Sequence, residues 1–130
     1  MDATQQVLAA ADALVAAFAS NDVDAYFGAF APEASFIFHA SPVRLMSRDA
    51  YRAEWDGWVA DSDLRVLDCV SSNRAVQFVD GIALFMHDVN TTIATRDGEA
   101  TLAERETIVF RQDESGRWLA WHEHLSPRAA

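Results

Sequence analysis

At the start of the chain apolar residues return every three or four positions. Val7, Leu8, Ala11, Leu14, Val15 and Phe18 make one stripe, which predicts a helix from about Thr4 to Ala19. Ser20-Asn21-Asp22 stops it, and Asp22 is placed to cap the next segment, which brings Tyr26, Phe27 and Phe30 to one side before Ala31-Pro32. The period then changes to two. Ser35–His39 alternates as a short strand, with Phe36 and Phe38 on one face and Ile37 and His39 on the other, and Ser41-Pro42 breaks it. Ser47 caps a third helix, whose stripe is Tyr51, Trp55, Trp58 and Val59.

From Asp63 onward the pattern is β throughout. Leu64–Val70 and Ala75–Val79 flank a Ser71–Arg74 turn, and Asp80-Gly81 and Asp97-Gly98 are tight-turn dipeptides. The long run Ile82–Thr95 between them is expected to curve, because long flat strands are unusual. The last stretch, Glu104–Ser126, reads as two strands joined by Gln112-Asp113-Glu114-Ser115-Gly116. One face carries Glu104, Glu106, Ile108 and Phe110, then Leu119, Trp121, Glu123 and Leu125. The other carries Arg105, Thr107, Val109 and Arg111, then Trp118, Ala120, His122, His124 and Ser126. The first face is apolar enough to be a core, yet it brings carboxylates into that core. Helices followed by a four- or five-stranded antiparallel meander predict an α+β fold, with the helices packed on one face of a strongly curved sheet.

Composition narrows the picture. The 130 residues, half of them hydrophobic, suit one domain over 1–130 and argue against disorder. Ten Lys and Arg against twenty Asp and Glu leave a net charge of −10, which repels phosphate backbones and anionic membranes, so neither nucleic acid nor membrane is expected as a partner. Cys69 stands alone in an apolar strand pattern, where a buried inert thiol is the expectation. The N-terminal run lacks a basic segment and carries Asp2 and Asp12, so it reads as a helix, not a signal peptide. No run is long enough to span a membrane, and a reducing, cytoplasmic setting is expected. Without a Gly-rich phosphate loop or a ligand cluster, neither a metal nor an organic cofactor is expected.

The order helix–helix–strand–helix followed by a curved meander resembles the nuclear transport factor two-like cone fold. Glu106-Thr107, Val109 and Trp118…His122-x-His124-x-Ser126 are similar to the association domain of calcium/calmodulin-dependent kinase II and to the small bacterial SnoaL-like proteins. Asn21–Ser35, NDVDAYFGAFAPEAS, resembles the corresponding run of bacterial ketosteroid isomerases. The departures are informative. Laid without gaps on the isomerase pattern, the catalytic tyrosine falls on Leu14 and the general-base aspartate on Phe38, so that mechanism is not implied. The association domain's cavity arginines fall on Ile108 and Leu125, while its cavity histidine matches His39. The resemblance implies that the face with Glu106, Trp121 and Glu123 looks into a cavity. It also implies that the opposite face, with Val109, Trp118 and Ala120, supports a homodimer.

Glu123, Glu106 and His39 are therefore the candidate catalytic residues. Pairing core face with core face sets Glu123 opposite Glu106 or, one step along, opposite Glu104. Two close carboxylates repel, and one holds its proton to higher pH, as acid–base work requires. The competing reading has one carboxylate neutralised by an arginine as plain cavity lining. A register one residue off would instead couple Glu104 and Glu106 to His124 and His122. Candidate ligand-binding residues are Tyr26, whose buried hydroxyl wants a partner among the cavity carboxylates, the aromatic stripe Trp55 and Trp58, and His87, Glu104 and Trp121. His122 and His124 share a strand face that suits a metal, but no third ligand has convincing spacing. Two functions stay open: a cofactor-free isomerase, cyclase or hydratase/hydrolase acting on an apolar or aromatic metabolite, or a non-catalytic ligand-binding or oligomerisation domain.

Overall fold

The structure, a computed structural model, describes residues 1–129. Its elements run α1 (Ala3–Ala19), α2 (Val23–Gly28), β1 (Phe30–Phe38), α3 (Arg48–Ser62), β2 (Arg65–Val79), β3 (Ile82–Thr95), β4 (Gly98–Gln112) and β5 (Trp118–Pro127). Each helix starts where a short polar side chain satisfies an orphan amide. Asp2 and Gln5 form a reciprocal capping box on α1, Asp22 accepts from the Ala25 amide, and Ser47 Oγ accepts from the Ala50 amide at 3.0 Å. Asn21, with φ of 58°, uses its side-chain amide as a piece of strand. It accepts from Val66 N–H at 2.9 Å and donates to Val66 C=O at 2.8 Å, pinning the α1–α2 corner to β2.

The fold is α+β, with the helices packed on one face of a five-stranded sheet ordered β1-β5-β4-β3-β2. Four of its features differ from the expected meander. The sheet is mixed, because β1 runs parallel to β5, pairing Phe36 with Glu123 and Phe38 with Leu125. Nearly the whole chain separates those two strands, so no local turn signals the pairing. β1 also begins earlier, at Phe30, and carries Pro32 inside a register break between Phe30 and Ser35, where a missing N–H is tolerated. Ser71–Arg74 is not a turn. β2 continues through it with a bulge between Ser72 and Ala75, and Asn73 takes the left-handed conformation at φ 50°.

The fourth difference lies in the last hairpin. Phe110 pairs with Ala120, but Val109 pairs with His122, so Trp121 is an extra residue. The bulge reverses the parity of everything before it on β5. Ala120 is fully buried, and Trp118 packs on the helix side, its indole N–H donating to Gln6 of α1 at 3.1 Å. Trp121 is the corrected position. It stands on the outer face with the Arg111 guanidinium 5.5 Å above its ring, not beside the inward carboxylates. Below the bulge the expected parity holds, and Glu123 and Leu125 face inward with Glu104, Glu106 and Ile108. The core between sheet and helices is dominated by aromatic rings, among them Phe27, Phe30, Phe36, Phe85 and Phe110.

Candidate functional site

The inner face of the bent sheet and the helices above it enclose a cavity of about 310 Å³, within the range of small-molecule sites. Its wall is mostly apolar. α1 gives Leu14 and Phe18, α2 gives Tyr26, and α3 gives Tyr51, Trp55 and Trp58, one residue per turn. The rings touch in sequence: Phe18 to Trp55 at 5.7 Å, Trp55 to Trp58 at 6.3 Å, Trp58 to Tyr51 at 6.4 Å. The sheet supplies the chemistry, with His87 from β3, Glu104 and Glu106 from β4 and Glu123 from β5.

Two of the carboxylates are held by histidines. His87, whose ring is wholly buried, meets Glu106 Oε1 through Nε2 at 2.8 Å and Ser71 Oγ through Nδ1 at 2.6 Å. At the rim His39, a third exposed, hydrogen-bonds through Nε2 to Glu104. Glu–His couples thus exist, but with His39 and His87, not with His122 and His124. No arginine reaches a cavity carboxylate among the described residues. Arg128, the nearest to β4's acids, donates to the Glu104 backbone carbonyl at 2.9 Å and not to its side chain.

Glu123 has no histidine partner. It is 2 % exposed, and its Oε1 is buried without any hydrogen bond. The strand partner of Glu123 is Ile108, and Glu106 stands opposite Leu125, so the directly opposed pairing expected for the glutamates is corrected to a diagonal one. Diagonal neighbours on one face lie within reach of long side chains. Burial, reinforced by the Glu106 charge and by a hydrogen bond between the two carboxyl groups, drives the Glu123 carboxyl well above the usual range.

Tyr26 and Tyr51 join hydroxyls at 2.7 Å. Tyr26 thus finds its partner in another tyrosine, not in a carboxylate. Burial, and next the Glu123 charge, raise both phenols well above their ordinary value. In such a pair one hydroxyl donates to the other, which leaves one proton free for a third acceptor. Cys69 also lines the cavity, and burial pushes its thiol up to about 11, so it stays a protonated, unreactive group.

The site therefore gathers Glu123, Glu106, Glu104, His39, His87, Tyr26, Trp55 and Trp58, all but His39 in the cavity wall itself, and leaves out Trp121. Sequence reasoning missed Tyr51 as a hydroxyl and Ser71 as the brace for His87. Tyr51 stood in the aromatic stripe already, and the argument applied to Tyr26 would have found it. Ser71 had no signal, because its stretch read as a turn. On the outer face His122 Nδ1 is bonded to Ser35 Oγ at 2.8 Å, its ring 6.5 Å from that of His124, and no group of three metal-binding side chains occurs among the described residues.

A SnoaL-like domain model matches residues 7–130, almost the whole chain. The chain belongs to the SnoaL-like family. No curated protein matches it in sequence. Solved structures match this SnoaL-like fold along nearly its full length. The calcium/calmodulin-dependent kinase II hub of S. rosetta is 25% identical over 95% of both chains, with a TM-score of 0.76. A ketosteroid isomerase-like protein from Erwinia carotovora atroseptica is 16% identical over 97% of this chain and 96% of its own, at 0.78. A Catenulispora acidiphila protein solved in complex with S-DNPA is 14% identical over 94% of this chain and 90% of its own, at 0.79. No helix among the described residues of the SnoaL-like chain is long and apolar enough to cross a membrane.

Proposed function

We propose that this chain is a cofactor-free proton-transfer enzyme that isomerises, cyclises or hydrates a small apolar or aromatic metabolite. The observation that carries this reading is the buried Glu123 carboxyl, its Oε1 unpartnered, facing a cavity that it shares with Glu106. The two carboxyls have different surroundings, and such a split is how one site supplies an acid and a base together. Glu106, kept in place by His87 and Ser71, removes a proton from the substrate. The negative charge that grows on the substrate oxygen is met by the Glu123 carboxyl proton and the free hydroxyl of the tyrosine pair. The proton on Glu106 then returns to a second substrate atom, which completes an isomerisation and leaves the protein in its starting protonation state. Glu104 and His39 at the rim connect the interior to bulk water.

The second reading, a ligand-binding or oligomerisation domain without chemistry, is favoured by the likeness to the S. rosetta hub over 95% of both chains. Against it, no arginine neutralises the cavity acids among the described residues. Exchange of substrate protons with solvent separates the two. The protein is incubated in D2O with a panel of small cyclic and aryl ketones, and deuterium entry beside the carbonyl is followed by NMR. Exchange is expected above the protein-free rate for at least one compound, falling by roughly 10²-fold or more in Glu106→Gln and Glu123→Gln. Ligands that bind without exchange would establish the non-catalytic reading. The same proposal includes a homodimer formed through the outer sheet face, and a single domain over the whole chain.

A further inference from the structure

The cavity carries a charge pattern that proton transfer on a neutral substrate does not use. Three carboxylates line it, and no Lys or Arg side chain does among the described residues. Several of the chain's arginines are engaged elsewhere: Arg52 on Asp24, Arg74 on Asp12, Arg111 over Trp121, Arg48 on the Phe30 carbonyl. His39 and His87 each already face a glutamate of their own, Glu104 and Glu106. An anion entering this cavity meets no positive group that is free to pair with it.

The rest of the lining points the same way. Glu123 Oε1 is an acceptor with no donor, enclosed where water-exposed alternatives are absent. The same cavity is lined by Phe18, Tyr26, Phe38, Tyr51, Trp55 and Trp58. Aromatic faces attract cations through the ring quadrupole, most strongly where water is excluded, and walls of this composition are used to hold ammonium groups. A buried acceptor inside an aromatic wall, with acids and no free cation, is a complementary environment for a positively charged donor.

We propose that the ligand of this cavity is a small protonated amine on an aromatic or alicyclic body, with its N–H directed to Glu123 Oε1. The proposal rests on the reading of the cavity as the small-molecule site and names the class of molecule it takes. The proton count closes in either direction. An amine that enters neutral takes the proton of Glu123, and one that enters charged releases that proton to solvent, so the bound pair is ammonium and carboxylate in both cases. With such a ligand the free tyrosine hydroxyl alone is left to meet charge on a substrate oxygen.

The test uses three ligands of one shape: 2-phenylethylamine, 2-phenylethanol and phenylacetate. Binding to the full chain is measured by NMR shift titration at physiological ionic strength, which screens the general attraction of an acidic surface for cations. The amine should bind at least tenfold more tightly than the alcohol, and phenylacetate should show no saturable binding. Glu123→Gln should bring the amine-to-alcohol ratio close to one while leaving the affinity for the alcohol within threefold. An alcohol as tight as the amine in the unmodified protein overturns the proposal, as does saturable binding of phenylacetate. So does an amine preference that survives Glu123→Gln. Turnover does not enter these readings. An amine preference without deuterium exchange would refute the enzyme and keep the amine, and exchange without a preference would do the reverse.

Discussion

Glu123 is the residue on which most of the argument turns, and its burial has a measurable consequence for stability. In the unfolded chain it titrates like an ordinary glutamate, near 4.3. In the folded protein burial and the Glu106 charge hold its proton to higher pH. Below the ordinary carboxyl range both states are protonated, and the group is neutral in its effect. As pH rises through that range the unfolded chain ionises first, so it binds fewer protons than the native state, and native stability falls with pH. The slope from this one group approaches about 1.4 kcal/mol per pH unit until the folded carboxyl ionises too. Glu123→Gln removes the titration and keeps the shape. Urea denaturation across pH 4 to 8 should therefore show the variant gaining on the parent as pH rises, and being no less stable at neutrality. A constant difference across that range would mean that Glu123 is ionised in the native protein. The inward direction of Glu123 was legible from strand alternation alone. Its lack of a histidine partner was not, because that depends on where His87 and His39 spend their nitrogens.

At the scale of the element, what could be read depended on whether a strand kept its count. The β3–β4 hairpin closes with Thr95 opposite Gly98, and its ladder is unbroken. Counting back from the Asp97-Gly98 turn sets His87 opposite Glu106, so that couple was present in the sequence for a reader who trusted the turn. The β4–β5 hairpin does not keep its count, and a bulge has no reliable sequence signature. The alternating pattern put Trp121 inside, since Leu119, Trp121, Glu123 and Leu125 look like one face. Ala120 and Trp118 are the residues that pack inward, and Trp121 is the residue the ladder skips. The consequence is testable. A chain lacking Trp121 restores strict alternation while leaving both Ala120 and Glu123 facing in. It should fold, losing no more than about 3 kcal/mol for the contacts of a half-buried side chain. Inserting one alanine after Trp121 also restores alternation with Glu123 inward, but it moves Glu123 from opposite Ile108 to directly opposite Glu106 and slips β5 by one residue against β1. By urea denaturation that variant should be less stable than the deletion. Two variants of equal stability would show that the bulge does not set the register.

For the whole molecule, the charge excess and the outer face pull in opposite directions. A net charge of −10 disfavours self-association at long range. The outer face of the sheet nevertheless presents Leu84, Met86, Val109, Leu119 and Trp121, half-buried in the single chain and adjacent across β3, β4 and β5. The bulge adds Trp121 to this surface and withdraws Trp118 and Ala120 from it, so the candidate interface differs in membership from the one expected by alternation. Aromatic residues, Met and Arg are favoured at interface centres, and Arg111 over Trp121 supplies such a centre. A two-fold contact that lays this face against its own copy needs to bury roughly 1,200–2,000 Å² to be stable. Its strength should grow with salt, because the like charges of two acidic chains are screened while apolar burial is not. Sedimentation equilibrium at micromolar concentration should give a dimer at 0.15 M salt and a weaker one at 0.02 M. Val109→Arg, at the middle of the face, should raise the dissociation constant at least tenfold, while the cavity on the other side of the sheet keeps its ligand affinity. A clean monomer under both conditions would remove the dimer.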